Sequence, residues 1–272
     1  MAAPHCPTMP RTGHQNLPMK SLPLFAFALA AAASAGASAQ TLLNIPIGTW
    51  NTQAELGAIN TTGNTEGTSV TGKIDAKQEL ESWSNEFIAS GYYAETQVIA
   101  ADGSKYKQSS ADQYTLSARA AYKLVEPGQK LYALASHVSD KFGAYTKYSS
   151  FSVGHSSTWL KSSDKSLEVE VGPGYFKGTR IVDLEEIHES GLTIRGAGTF
   201  KWQLSQNSLF TQTLSVERGT SNTHTVAETA LSAKILNRMQ MKAAFSAKSD
   251  TNVSDERKST DTTTSLTLVY SF

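Results

Sequence analysis

The feature that most limits what this chain can become is an alternation of apolar and polar residues that recurs over residues 50–272 and closes on TDTTTSLTLVYSF. In that last stretch Leu266, Leu268, Tyr270 and Phe272 share one parity, and Thr267, Val269 and Ser271 share the other. Successive side chains of a strand point to opposite faces, so the stretch is a ribbon with one strongly apolar face. The last residues of a soluble domain are usually polar and frayed. An apolar ribbon there calls for a partner strand and an apolar medium.

About twelve such stretches follow one another: 50–59, 69–79, 84–98, 112–124, 130–139, 147–160, 166–177, 188–204, 209–218, 226–235, 239–249 and 261–272. Gly, Asn, Asp, Ser and Pro clusters separate them, as turns require. The parity holds within each. Leu116, Ala118, Ala120 and Tyr122 oppose Ser117, Arg119 and Lys123. Leu192, Ile194, Phe200 and Trp202 oppose Thr193, Arg195, Thr199 and Lys201. A stretch of ~20 apolar residues, the length of a membrane helix, occurs nowhere in residues 40–272.

A soluble β-sandwich also alternates, with its charges facing out. Two further patterns separate the cases. The connections run alternately short and long, as do the periplasmic turns and outer loops of a membrane barrel. Trp50, Trp83, Trp159, Trp202, Tyr122, Tyr132, Tyr270 and Phe272 all fall near the proposed short ends. Amphipathic rings favour the boundary between hydrocarbon and water, so these eight are expected to form one aromatic girdle. The expected fold is an all-β, single closed antiparallel transmembrane β-barrel of about twelve strands, its last strand pairing with its first because an open edge in hydrocarbon is costly. Phe272 is expected to act as the signal read by the outer-membrane barrel-assembly machinery.

The N-terminal region reads differently. MKSLPLFAFALAAAASAGASAQ begins at Met19 and carries a lysine, an apolar run and the small-x-small triplet Ala37-Ser38-Ala39, the layout of a secretory signal peptide. Residues 1–39 are therefore expected to be an upstream extension plus a cleaved leader, and 40–272 the barrel. The leader holds Arg11 and Lys20 and no acid, so the remainder carries 22 basic and 24 acidic residues, a formal charge near −2. That balance argues against nucleic acid as a partner. Cys6, the single cysteine, also lies in the leader, which leaves no disulfide, thiolate metal site or cysteine nucleophile beyond it.

Four pieces carry a resemblance: ELGAINTTGNTEGTSV, SDKFGAYTKYSSFSVGHSS, EVEVGPGYFKG and the closing TDTTTSLTLVYSF. Together the chain resembles the salt-induced outer-membrane protein family, a domain-of-unknown-function group of bacterial β-barrels. The resemblance implies an outer-membrane barrel with expression linked to salt or osmotic stress. It implies no catalytic residue, cofactor or substrate.

Parity predicts which charges face the lumen. The basic ones are Lys73, Lys77, Arg119, Lys123, Arg195, Lys201, Lys234, Lys242 and Lys248; the acidic ones are Glu55, Asp75, Glu86, Glu168, Glu170, Glu217 and Glu228. They either pair across a narrow interior and fill it, or line a wet conduit for small solutes; twelve strands lie between the filled barrels of eight and the open ones of sixteen. A second function class is a lipid hydrolase. His155 and Ser157 stand at i, i+2 and share the outward parity of Phe151 and Val153, with no third orienting residue evident. A third is a soluble periplasmic sandwich that binds a ligand. His137, His188 and His224 lack metal-ligand spacing, and Asp183, Glu185 and Glu186 read as a solvated acidic loop able to meet lipopolysaccharide through a cation.

Overall fold

The computed structural model describes residues 48–62, 67–99, 105–182, 185–253 and 258–272. Twelve strands alternate in direction along the chain: β1 (Thr49–Thr62), β2 (Gly67–Glu79), β3 (Trp83–Ile99), β4 (Lys105–Lys123), β5 (Gln129–Asp140), β6 (Lys147–Lys161), β7 (Lys165–Val182), β8 (Glu185–Ser205), β9 (Ser208–Gly219), β10 (Thr223–Leu236), β11 (Met239–Asp250) and β12 (Thr260–Ser271). Each pairs with its sequence neighbours, and β1 pairs with β12, so the sheet closes into a barrel. The seam runs from Gln53↔Ser271 to Thr62↔Thr262, and the Phe272 N–H donates to the Thr52 carbonyl at 2.9 Å. Closure removes both sheet edges, which answers the demand made by the apolar last strand. A sandwich is ruled out: the twelve strands form one closed barrel, and among the described residues no second sheet receives the apolar face.

That face points outward. Leu56, Val70, Ile74, Leu116, Val171, Leu192, Ile194, Leu214, Leu231, Met241, Phe245, Leu266 and Leu268 are all exposed. Aromatic residues gather at the short-turn end. Trp83 meets Tyr122 edge-on at 5.2 Å, Trp50 stacks on Phe87 at 6.4 Å, Tyr270 meets Phe272 at 4.9 Å, and the Lys165 ammonium lies 4.8 Å over the Trp202 ring. Trp159 is 71% exposed there.

Two expectations need correction. Tyr132 is not in the girdle. It shares parity with Lys130, points inward and is 3% exposed; nearness to a turn suggested the wrong face, and parity decides the face. The long outer loops proposed after the third and seventh stretches are mostly strand. β4 begins at Lys105, β7 runs to Val182 and β8 opens at Glu185. Backbone pairing continues there through polar residues because a ladder above the hydrocarbon needs hydrogen bonds, not an apolar face. The leader and the boundary at residue 40 lie outside the described residues, as does Asp183.

Between β6 and β7 the backbones approach closely around Gly154 and Pro173. A Cβ on Gly154 would fall 2.3 Å from the Val171 carbonyl oxygen and 2.9 Å from the Tyr132 ring. Glycine there lets the two paired backbones approach closely and leaves room for the Tyr132 ring against the inner wall.

Candidate functional site

The register places every one of the sixteen predicted charges on the inner face, because Glu55↔Lys73, Lys77↔Glu86, Glu86↔Arg119 and Arg195↔Glu217 are direct pairs that carry one parity around the barrel. Most are gathered into two arcs. The first straddles the seam. Lys242 reaches Glu228 at 3.1 Å and Glu55 at 3.5 Å; Lys73 lies 3.9 Å from both Glu55 and Asp75; Lys77 lies 3.7 Å from Asp75 and 2.9 Å from Glu86. It runs unbroken from β10 to β3.

The second arc covers β4 to β8. Glu170 accepts from Arg119 and, at 2.8 Å, from Arg195. Glu168 accepts from Ser156 at 2.7 Å and Lys130 at 3.1 Å, and lies 3.6 Å from Arg119. Both guanidiniums lie over the Tyr132 ring, at 5.6 and 5.9 Å. Lys123 turns to Glu79 at 2.8 Å at the short-turn rim. Glu217 takes the Thr193 hydroxyl at 3.2 Å. Lys201 and Lys234 also face the lumen and make no ion pair with either arc among the described residues, though Lys201 stands in the field of Lys77, Asp75 and Glu86 from the first arc and Glu168 from the second. The arcs follow the wall: no pair within them joins strands more than three places apart around the barrel.

The outer rim is different. Lys248 on β11 reaches Asp140 on β5 at 3.4 Å. Tyr148 on β6 stacks on His224 of β10 at 5.4 Å and on Phe176 at 5.6 Å, with Tyr145 edge-on at 5.5 Å. Asp250 holds His224 at 2.9 Å and Asn222 at 2.7 Å. Glu189 holds Arg180 at 2.8 Å and accepts from the Tyr145 hydroxyl at 2.9 Å. Burial, then the Glu189 hydrogen bond and charge, pushes the phenol of Tyr145, in the 141–146 turn, up from its ordinary value. On the outer surface of the rim, Lys141 pairs with Asp112, whose hydrogen bond and charge push that ammonium up.

Sequence reasoning passed over Lys130, Asp140, Arg180, Glu189 and Asp250. Parity was available for each, since Lys130, Tyr132 and Asp140 share it on β5; the missing information was which strand stood opposite.

The outward histidines take simple partners. His155 pairs in register with Leu131 and Val171, and no hydrogen bond joins it to Ser157 among the described residues. Residues at i, i+2 on a strand are roughly 7 Å apart, too far for one. His137 instead meets Ser149, its register partner, at 2.8 Å on the outer face. His188 meets Thr179 at 3.0 Å, and Glu185 and Glu186 open β8. Among the described residues, no group of three or more His, Cys, Asp or Glu side chains is placed to hold a metal ion.

A family model described as "Protein of unknown function, DUF481" matches residues 54–272. The chain is 26% identical over 173 residues to the uncharacterized protein YdiY of Escherichia coli (strain K12), covering 63% of this chain and 67% of that one. Among solved structures, the NanC porin superposes with a TM-score of 0.51 at 8% identity, covering 80% of this chain and 98% of that one. The translocator domain of the autotransporter NalP from Neisseria meningitidis superposes with a TM-score of 0.50 at 14% identity, covering 81% and 88%. At these identities the likeness is one of fold: both are outer-membrane β-barrels.

Proposed function

The chain belongs to the DUF481 family, described as proteins of unknown function, and from that premise we propose that it is a bacterial outer-membrane pore for small polar solutes, non-enzymatic and tied to envelope stress. An apolar, aromatic-belted outside fits hydrocarbon, and a closed barrel satisfies its backbone there. The observation that carries the pore reading is the course of the ion pairs. Over most of the lumen's height the described ion pairs run along the wall between strands at most three apart rather than across the barrel. A filled barrel would need side chains meeting across the axis throughout. Lys201, inward and free of an ion pair among the described residues, stands among Lys77, Asp75, Glu86 and Glu168, so its charge would help to set the ion selectivity of the lumen.

Single-channel recording of the refolded barrel in planar bilayers tests this. Steady conductance whose selectivity moves toward cations in Lys201→Glu supports it. No current over a wide voltage range, in the wild type and in a variant with an opened outer rim, would sink it. The stress link and the leader are tested in the cell: the protein should fractionate with the outer membrane, begin near Gln40 and rise in abundance at high osmolarity. Unchanged abundance would remove the stress role.

One observation favours a second reading, an outer-membrane lipid hydrolase: the His137–Ser149 hydrogen bond on the lipid-facing surface. Fatty-acid release from vesicles that disappears in Ser149→Ala would establish it; equal release would dismiss it.

A further inference from the structure

We propose that the outer mouth of the barrel is a gate, held shut by the Asp140–Lys248 pair pulling opposite walls together. This rests on the pore reading and adds where the pore closes.

The ring order places β5 and β11 six positions apart in a ring of twelve, diametrically opposite. A circular twelve-strand section, at strand spacings of about 4.8 Å and tilts of about 40°, is about 24 Å across between backbones. An extended lysine and aspartate with a 3.4 Å contact span only about 13 Å between Cα atoms, from ordinary bond lengths. The barrel is therefore pinched into an oval at this level. The stack of Tyr148 on His224 needs the same pinch, for β6 and β10 are four places apart. All four residues lie within two positions of the outer end of their strands, so the two contacts form one layer.

Asp140 is built into its wall. One carboxylate oxygen accepts the Phe142 and Gly143 N–H groups at 3.0 and 2.9 Å, and the other accepts from Gln113 at 3.0 Å as well as from Lys248. It is thus a fixed anchor, while Lys248 is a long, flexible arm from the far wall. Once the arm lets go, the Tyr148–His224 stack is the remaining contact of this layer that draws the walls together; a single ring contact is too weak to hold them, the ladder hydrogen bonds favour no particular oval, and the section can relax toward a circle. The ion pairs described lower in the lumen do not oppose this, because none joins strands more than three places apart.

The test uses Lys248→Met, which keeps length and stem packing and removes the charge. Its conductance in planar bilayers should exceed wild type by about threefold or more, the change in open area from a slot to a circle. A double variant, Asp140→Cys with Lys248→Cys, supplies the only thiols once the leader carrying Cys6 is absent. Their Cα separation, at most about 13 Å for a 3.4 Å side-chain contact, is within reach of a short cross-linker. A short bis-maleimide should bridge them in the folded barrel and abolish the current. Failure to cross-link would overturn the pinch whatever the current. Cross-linking with equal wild-type and Lys248→Met currents would overturn the gate and leave the pore. Cross-linking with no current in any form would remove both.

Discussion

Replacing Glu170 with alanine asks how dry the inner wall is. Glu170 takes both Arg119 and Arg195, and the three side chains are only 13%, 13% and 16% exposed. Arg195 keeps the Tyr132 ring and its register partner Glu217 but no other close ion pair among the described residues, whereas Arg119 keeps Glu168 at 3.6 Å. A pair bathed in water is worth about 0–1 kcal/mol. Deleting one partner of a buried pair costs about 3–5 kcal/mol, because the other charge is left without compensation. The low exposure places this site in the second class, and the surviving Arg119–Glu168 contact places it at the lower end. The expected loss is about 3 kcal/mol, a fall of roughly 150-fold in the folding constant. Urea unfolding of the barrel in phospholipid vesicles, followed by tryptophan fluorescence, measures it. Adding Arg195→Met to Glu170→Ala removes the stranded charge and should recover at least about 1 kcal/mol. A loss below about 1 kcal/mol, or a double variant no more stable than the single, would refute the reasoning and make the wall a wet surface.

Three other outcomes are expected. A Cβ at Gly57 would lie 2.4 Å from the Leu266 carbonyl oxygen across the seam, whereas one at Gly72 meets nothing nearer than 3.7 Å; Gly57→Ala should therefore lose the heat-modifiable band of a closed barrel and Gly72→Ala should keep it, and equal bands would contradict the seam geometry. Phe272→Ser should slow insertion into membranes carrying the barrel-assembly machinery while leaving detergent refolding nearly unchanged; an unaltered insertion rate would deny Phe272 a signalling role. The raised pKa of Tyr145 means that the folded state favours the protonated phenol, so its stabilising contribution is complete below the unfolded value of about 10 and is lost only as pH climbs beyond it. Absorbance titration of Tyr145→Phe should match wild type up to about pH 10; a gain smaller by one tyrosine's share would show Tyr145 ionising normally.

The strand count, the closure and the inward charges were legible because a strand's side-chain period is two residues, and one parity slip would turn every side chain of that strand to the other face. Arg119, Arg195, Lys242 and Glu170 were assigned to the lumen by that rule alone, and the register agrees. Tyr132 was misassigned where a different cue, nearness to a turn, was allowed to override parity. The hairpins beyond Ile99 and Lys177 were cut short because polar sequence resembles loop wherever the ladder rises above the apolar zone.

Which charges meet was beyond the sequence. Parity is a property of one strand, but Asp140 and Lys248 touch because of how twelve strands close, tilt and flatten, which depends on the whole ring at once. The same holds for His137, which takes Ser149 and not a residue near it in the chain, because cross-strand register brings together positions that sequence spacing separates. The sequence alone determined that this chain forms a barrel with an oily outside and a charged inside. The tertiary structure decided that its charges line the wall in two arcs and that Asp140 and Lys248 tie opposite walls together at the outer rim.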